Sequence, residues 1–299
     1  MDTVSIEGVE LRLASPTDLI ADFEKSIYGE AVEELREALE ARERRLLTTI
    51  VAPTLREAIG IAVAAADQAA LPCRIQMEAP AAPLGESLVR ATPTIDALGS
   101  APRRHFVASP LASAMIQGGV CVLGFSPDDK ASWRRLLPII SGARRVDLSG
   151  ANLTISAKED FLLCLAVSED EVSALPKALA GALAPPIRAR APDLKATESF
   201  LSERLPQASS KLLSDIAVLL SRARELGRGA SLYESDRLAK RLLAEADRGR
   251  TGSTLRGPAE LLGADVAKLV EEEELLGAFR ELETESELSQ LKKELEGEG

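Results

Sequence analysis

LLTTIVAPTLREAIGIAVAAADQ, residues 46–68, decides the fold class. Leu46 to Val51 is a short apolar run rich in β-branched residues, the composition of a strand buried on both faces. Ala52-Pro53 breaks it, and from Leu55 an alanine-rich, helix-favouring segment takes over. A strand feeding a helix through a tight turn is the opening unit of a nucleotide-binding α/β domain. This turn lacks the glycines and the lysine that hold phosphate. The stretch therefore predicts an architecture before it predicts a reaction.

Outward from it, composition narrows the choices. At 299 residues the chain holds one large or two ordinary domains. Aromatics are only 3% of residues, so Ala and Leu fill most of the core, which favours helix-rich α/β packing. A formal charge of −11 argues against general nucleic-acid or anionic-membrane binding. The charge is uneven: from Asp265 onward there are 12 acidic and 4 basic side chains, about eight of the eleven net charges. Cys73, Cys121 and Cys164 each fall in an apolar run and read as buried reduced thiols, and no Cys/His spacing predicts a metal site. The N-terminus lacks the basic and apolar regions of a signal peptide. No stretch approaches the roughly 20 apolar residues of a membrane span. A cytoplasmic location is the expectation.

Residues 3–13 alternate around Glu7-Gly8 and predict a hairpin. Ser15-Pro16-Thr17-Asp18 predicts a helix start, and 30–45 a charged amphipathic helix. Further strands are predicted at 73–77, 120–123, 161–167 and 187–190. Helices are predicted at 55–70, 109–117, 129–141 and 171–184, with a hairpin at 143–156. Residues 79–110 read as a long irregular connection holding the single histidine, His105. Beyond Pro192-Asp193 the chain reads as helical, at 195–204, 207–226, 231–248 and about 258–264. The acidic segment 265–296 carries a helical apolar stripe. The domain boundaries are then 1–192 for an α/β domain, 193–264 for a helical domain and 265–299 for an acidic helical tail.

Several segments carry a family likeness. LPCRIQM (71–77), FVASPLASAMIQGGVCVLGFSPDD (106–129), RRLLPIISGARRVDLSGANLTISAKEDFLLCLAVSED (134–170), VSALPKALAGAL (172–183) and GRGASLYESDRLAKRLLAEA (227–246) follow one another in a recognisable order. In that order the chain resembles an AAA+ ATPase module of the MoxR type, over roughly residues 3–255. The resemblance implies a parallel five-stranded sheet of order 5-1-4-3-2 between helices, followed by a helical lid. It rests on segment order and hydrophobic pattern, since no single motif is intact.

The departures from the family fall on its chemistry. A Walker A loop wraps phosphates in successive backbone N–H groups, with a lysine on the β/γ-phosphates and a hydroxyl on magnesium. The matching turn here is Ala52, Pro53, Thr54, Leu55, Arg56 and Glu57. It has no glycine, Pro53 removes a donor, and Glu57 adds negative charge. At Walker B, acids for metal and water are matched by Gly124 and Phe125. The sensor-1 asparagine is matched by Val167 or Ser168. The arginine-finger segment, Ala180 to Pro185, has no arginine; Arg188 and Arg190 lie on the next strand. Arg237 and Arg241 fall where a sensor-2 arginine belongs.

Three readings follow. The first is a catalytically inactive AAA+ module with no catalytic residue, metal or cofactor, serving as a structural, adaptor or regulatory subunit. The resemblance implies protein partners for it, an active AAA+ ATPase or a von Willebrand factor A protein, in a ring-type homo- or hetero-oligomer. Arg134, Arg135, Arg144 and Arg145 form a basic cluster for an acidic partner or tail, and the hairpin at 143–156 is a further contact element. The second is an active NTPase holding ATP and magnesium through Arg56, Thr54, Asp128 and Asp129. The third is an unrelated α/β binding protein.

Overall fold

A computed structural model describes residues 2–19, 21–41, 47–77, 88–94, 103–127, 133–140, 144–148, 153–182, 185–225 and 231–247. The chain divides into two compact units, Met1–Ala191 and Pro192–Gly299.

The first unit is organised around a five-stranded parallel sheet of β3 (Leu47–Ala52), β4 (Cys73–Gln76), β7 (Gly119–Gly124), β10 (Phe161–Ser168) and β11 (Ile187–Arg188). Its spatial order is β11-β3-β10-β7-β4, or 5-1-4-3-2 when the five are counted along the chain. All its pairings are parallel. Every residue of β7 and β10 is buried, which explains their near-continuous apolar sequences.

One face of the sheet is covered by α3 (Leu55–Gln68), whose residues from Glu57 to Ala66 are all buried. Small alanines let this helix lie close to the strands. Outside α3 pack α1 (Asp22–Ile27) and α2 (Gly29–Glu40), the latter burying Val32, Leu35 and Leu39. On the other face, Cys121, Leu123, Leu163, Leu165 and Val167 share a core with Leu111, Ala112 and Met115 of α4 (Pro110–Gln117). Gly118 and Gly119 turn the chain from α4 into β7, both at φ +89°, a conformation that side-chain-bearing residues rarely adopt. A Cβ on Gly118 would also strike Asp160, and one on Gly119 the Pro72 carbonyl.

A second sheet corrects the expectation for residues 79–110. In place of an irregular connection they hold β5 (Val89–Thr94) and β6 (Arg103–Ala108). With the predicted hairpin, β1 (Thr3–Ile6) and β2 (Val9–Arg12), these form a four-stranded sheet of order β1-β2-β6-β5. His105 therefore lies on a strand, opposite Thr92 in the register, rather than in a loop. Pro93 and the charged start of β6 hide the strands from a periodicity reading, and Pro93 is tolerated because β5 is an edge strand.

Other boundaries shift. The helix expected to start at Ser15-Pro16-Thr17-Asp18 starts at Asp22, since residues 13–19 run without regular structure and Thr17 N–H bonds the Cys73 carbonyl. α2 ends at Glu40, short of the expected 45. Residues expected to be helical from 129 are described from Trp133, as a 3-10 turn at Arg134–Leu136 and α5 (Leu137–Ile140). The hairpin pairs β8 (Arg145–Leu148) with β9 (Leu153–Ser156). The helix expected over 171–184 is a 3-10 turn, Glu169–Ala174, followed by α6 (Lys177–Ala182), because Pro176 between them lacks the N–H to continue one helix. β11 spans two residues, not the four expected.

The second unit contains α7 (Leu194–Arg204), α8 (Ser210–Glu225) and α9 (Leu232–Asp247). Asp193 caps α7 by accepting from the Ala196 N–H. The helix expected at 258–264 and the tail from 265 lie outside the described residues. Among the described residues, no helix is long and apolar enough to cross a membrane.

Candidate functional site

In a parallel sheet all strands end on one edge, and ligands of open α/β folds bind beyond that edge. Here the residues that follow the five strands are Pro53, Met77, Phe125, Glu169 and Ala189.

The turn after β3 is closed by the chain's own side chains. Pro53 is buried and offers no N–H. Thr54 is the N-cap of α3, with extended backbone at φ −132° and ψ 156°. Its Oγ1 accepts from the Glu57 N–H at 3.3 Å and donates to Glu57 Oε2 at 2.8 Å. Glu57 is wholly buried, and its Oε1 accepts a 2.9 Å hydrogen bond from the Tyr28 hydroxyl. Both carboxylate oxygens are thus engaged at the helix N-terminus, the place where an anion is favoured. The T-x-x-E spacing of Thr54 and Glu57 is a helix-start signature visible in the sequence. Tyr28, 29 residues away, carries no such signal. Arg56 lies on the exposed side of the same turn.

At the end of β7, Gly124 is buried and a Cβ there would fall 2.8 Å from Met77 Sδ and 3.4 Å from Ile59 Cδ1. Phe125 is buried with its ring centroid 5.3 Å from that of Trp133, at 50°. The Trp133 indole donates to the Ser126 carbonyl at 2.9 Å. This corner is apolar packing. Asp128 and Asp129 lie outside the described residues.

At the end of β10, Ser168 is buried and its hydroxyl donates to Glu171 Oε2 at 2.8 Å. Glu169, Asp170 and Glu171 occupy the turn that follows, a concentration of negative charge that repels phosphate. Arg188 and Arg190 are exposed. Arg237 and Arg241 lie on α9, in the second unit.

Arg134 and Arg135 lie on the 3-10 turn, Arg145 opens β8 and Arg144 directly precedes it. Arg144 Nη1 donates to the Lys158 carbonyl at 2.8 Å and Nη2 to the Glu159 carbonyl at 3.4 Å, closing the base of the hairpin. Arg134 and Arg145 are exposed, and Arg135 is half-buried. The hairpin itself does not stand free, because Val146, Leu153 and Ile155 are buried in the core.

Burial pushes the three thiols up, Cys73 and Cys164 to about 12 and Cys121 further, which leaves them protonated and inert. Among the described residues no group of three or more His, Cys, Asp or Glu side chains is placed to hold a metal ion.

No protein-family model matches the chain. No curated protein matches it either. Among solved structures, a point mutant of RuvB from Thermotoga maritima is similar over 85% of this chain and 70% of that one, at 11% identity and a TM-score of 0.45. A likeness of that size carries no argument about fold or activity.

Proposed function

We propose that this chain is an AAA+-like module that has kept its scaffold and lost its ATP chemistry, and that it works as a structural or adaptor subunit of a protein assembly. The observation that carries the reading is the turn after β3. Its N-terminal helix donor is taken by Thr54, its proline is buried, and a buried carboxylate occupies the first turn of α3. A phosphate entering there would meet Glu57, and two unit charges 4 Å apart repel by about 4 kcal/mol at an effective dielectric of 20. The apolar corner at Gly124 and Phe125 and the acidic turn after Ser168 support the same reading.

The contact surface is formed by the outer face of the hairpin and the exposed Arg134 and Arg145. Its partner is an active AAA+ ATPase or a von Willebrand factor A protein, in a ring or a mixed oligomer, acting in the cytoplasm. Titration of the purified chain with ATP and magnesium at millimolar concentration should give no heat of binding. Stoichiometric heat would sink the reading and return the active-NTPase alternative through Arg56 and Thr54. Affinity purification followed by mass spectrometry should then recover an intact ATPase or a von Willebrand A protein. A charge reversal of Arg145 should weaken that recovery.

A further inference from the structure

Polar groups of α1 and of its C-cap residue Tyr28 meet α3. The Tyr28 hydroxyl reaches Glu57 Oε1 from the end of α1, and both residues are buried. One turn along α3, the wholly buried Glu24 sets its carboxyl group over Gly60, where a Cβ would lie 2.1 Å from Oε1. At the surface, Lys25 pairs with Asp67 at 2.7 Å. Two positions of α1 and its C-cap residue thus face three of α3, and Tyr28 ends on the residue that also holds Thr54. A buried hydrogen bond such as that from Tyr28 to Glu57 is electrostatically stronger than one in water, and losing either partner leaves the other unsatisfied.

On the reading of the turn after β3 as an emptied nucleotide site, we propose that the docking of α1 orders that turn in place of a bound phosphate. An anion at a helix N-terminus satisfies its donors and fixes the loop that leads into it. Here the anion is the Glu57 carboxylate, and the Tyr28 hydroxyl is the clamp that fixes its position. The strand–turn–helix unit is then set by the N-terminal helices and is indifferent to nucleotide.

Hydrogen exchange on the full chain, read by mass spectrometry, tests this. Tyr28→Phe should speed exchange of residues 21–28 and of the 52–57 turn together, by roughly tenfold, while β7 and β10 keep the wild-type rate. Glu57→Gln should give the same pattern, and the double variant should add nothing beyond either single change. A response confined to one of the two segments, or additive effects in the double variant, would overturn the proposal and leave the emptied-site reading standing. Should the Glu57 variant fail to fold, the two-segment response of Tyr28→Phe alone decides. Wild-type protein is also measured with ATP and magnesium. Slower exchange of the 52–57 turn under those conditions would overturn the emptied-site reading itself, and with it the substitution of α1 for nucleotide. An unchanged rate supports both.

Discussion

Met77 covers the space that Gly124 leaves at the end of β7: a Cβ on Gly124 would sit 2.8 Å from Met77 Sδ and 3.1 Å from Met77 Cε. Met77 is 49% exposed, so its flexible end can swing into solvent. Gly124→Ala should therefore shift stability by less than about 0.5 kcal/mol. Gly124→Asp, which on the proposed emptied-site reading places an acid at the Walker B position, puts a charge beside Ile59 and under Met77. It should cost about 3 kcal/mol and give no ATP hydrolysis. Urea unfolding and a phosphate-release assay check the two halves; hydrolysis in the Asp variant would mean that the rest of the site had survived.

Thr49 on β3 is buried, and its hydroxyl has no hydrogen-bond partner among the described residues. A buried hydroxyl left unsatisfied costs its desolvation, and valine has nearly the same shape. Thr49→Val should raise the urea midpoint by the equivalent of about 1 kcal/mol with an unchanged slope. A lower midpoint would show that the hydroxyl is satisfied after all.

The thiols give a pH prediction. Burial raises Cys73 and Cys164 from 9.0 to about 12, so the fold binds their protons more tightly than the unfolded chain does. That contribution is complete below pH 9 and is lost as pH rises from 9 towards 12. Stability should fall across that window, and less steeply in Cys164→Ala than in wild type. A thiol reagent at pH 8 should label none of the three cysteines faster than the protein unfolds. Rapid labelling of Cys73, which lies on edge strand β4, would indicate local opening there.

What the sequence discloses follows from how much of each strand is buried. β7 and β10 are covered on both faces, so VCVLG and FLLCLAV read directly as strands, and the β3 turn reads from Ala52-Pro53. β5 and β6 sit in a sheet with an open edge, and VRATPT and RRHFVA carry no clean alternation. The same limit applies at the site. The absence of glycine and lysine after β3 is legible from residues 52–57 alone. The Tyr28–Glu57 and Glu24–Gly60 contacts are not, since a Glu on a short charged helix reads as a surface residue and a mid-helix glycine reads as a weakness.

Gly60 turns that weakness into a specific test. In the interior of an ordinary helix, Gly→Ala is stabilising by about 1 kcal/mol. At Gly60 the new Cβ would lie 2.1 Å from Glu24 Oε1, 2.4 Å from its Cδ and 2.7 Å from its Cγ. The whole carboxyl group would have to move, and Glu24 is fully buried, so it has no open space to enter. Gly60→Ala should therefore destabilise by about 2 kcal/mol, the range for overpacking a filled interior. Shortening the obstructing side chain should remove the clash. In the Glu24→Ala background, Gly60→Ala should recover its ordinary helical benefit, giving a coupling of more than about 1 kcal/mol in a double-mutant cycle read by urea unfolding. Simple additivity would mean that Glu24 is not what excludes a side chain at this position, and α1 would then be held to α3 by its other contacts alone.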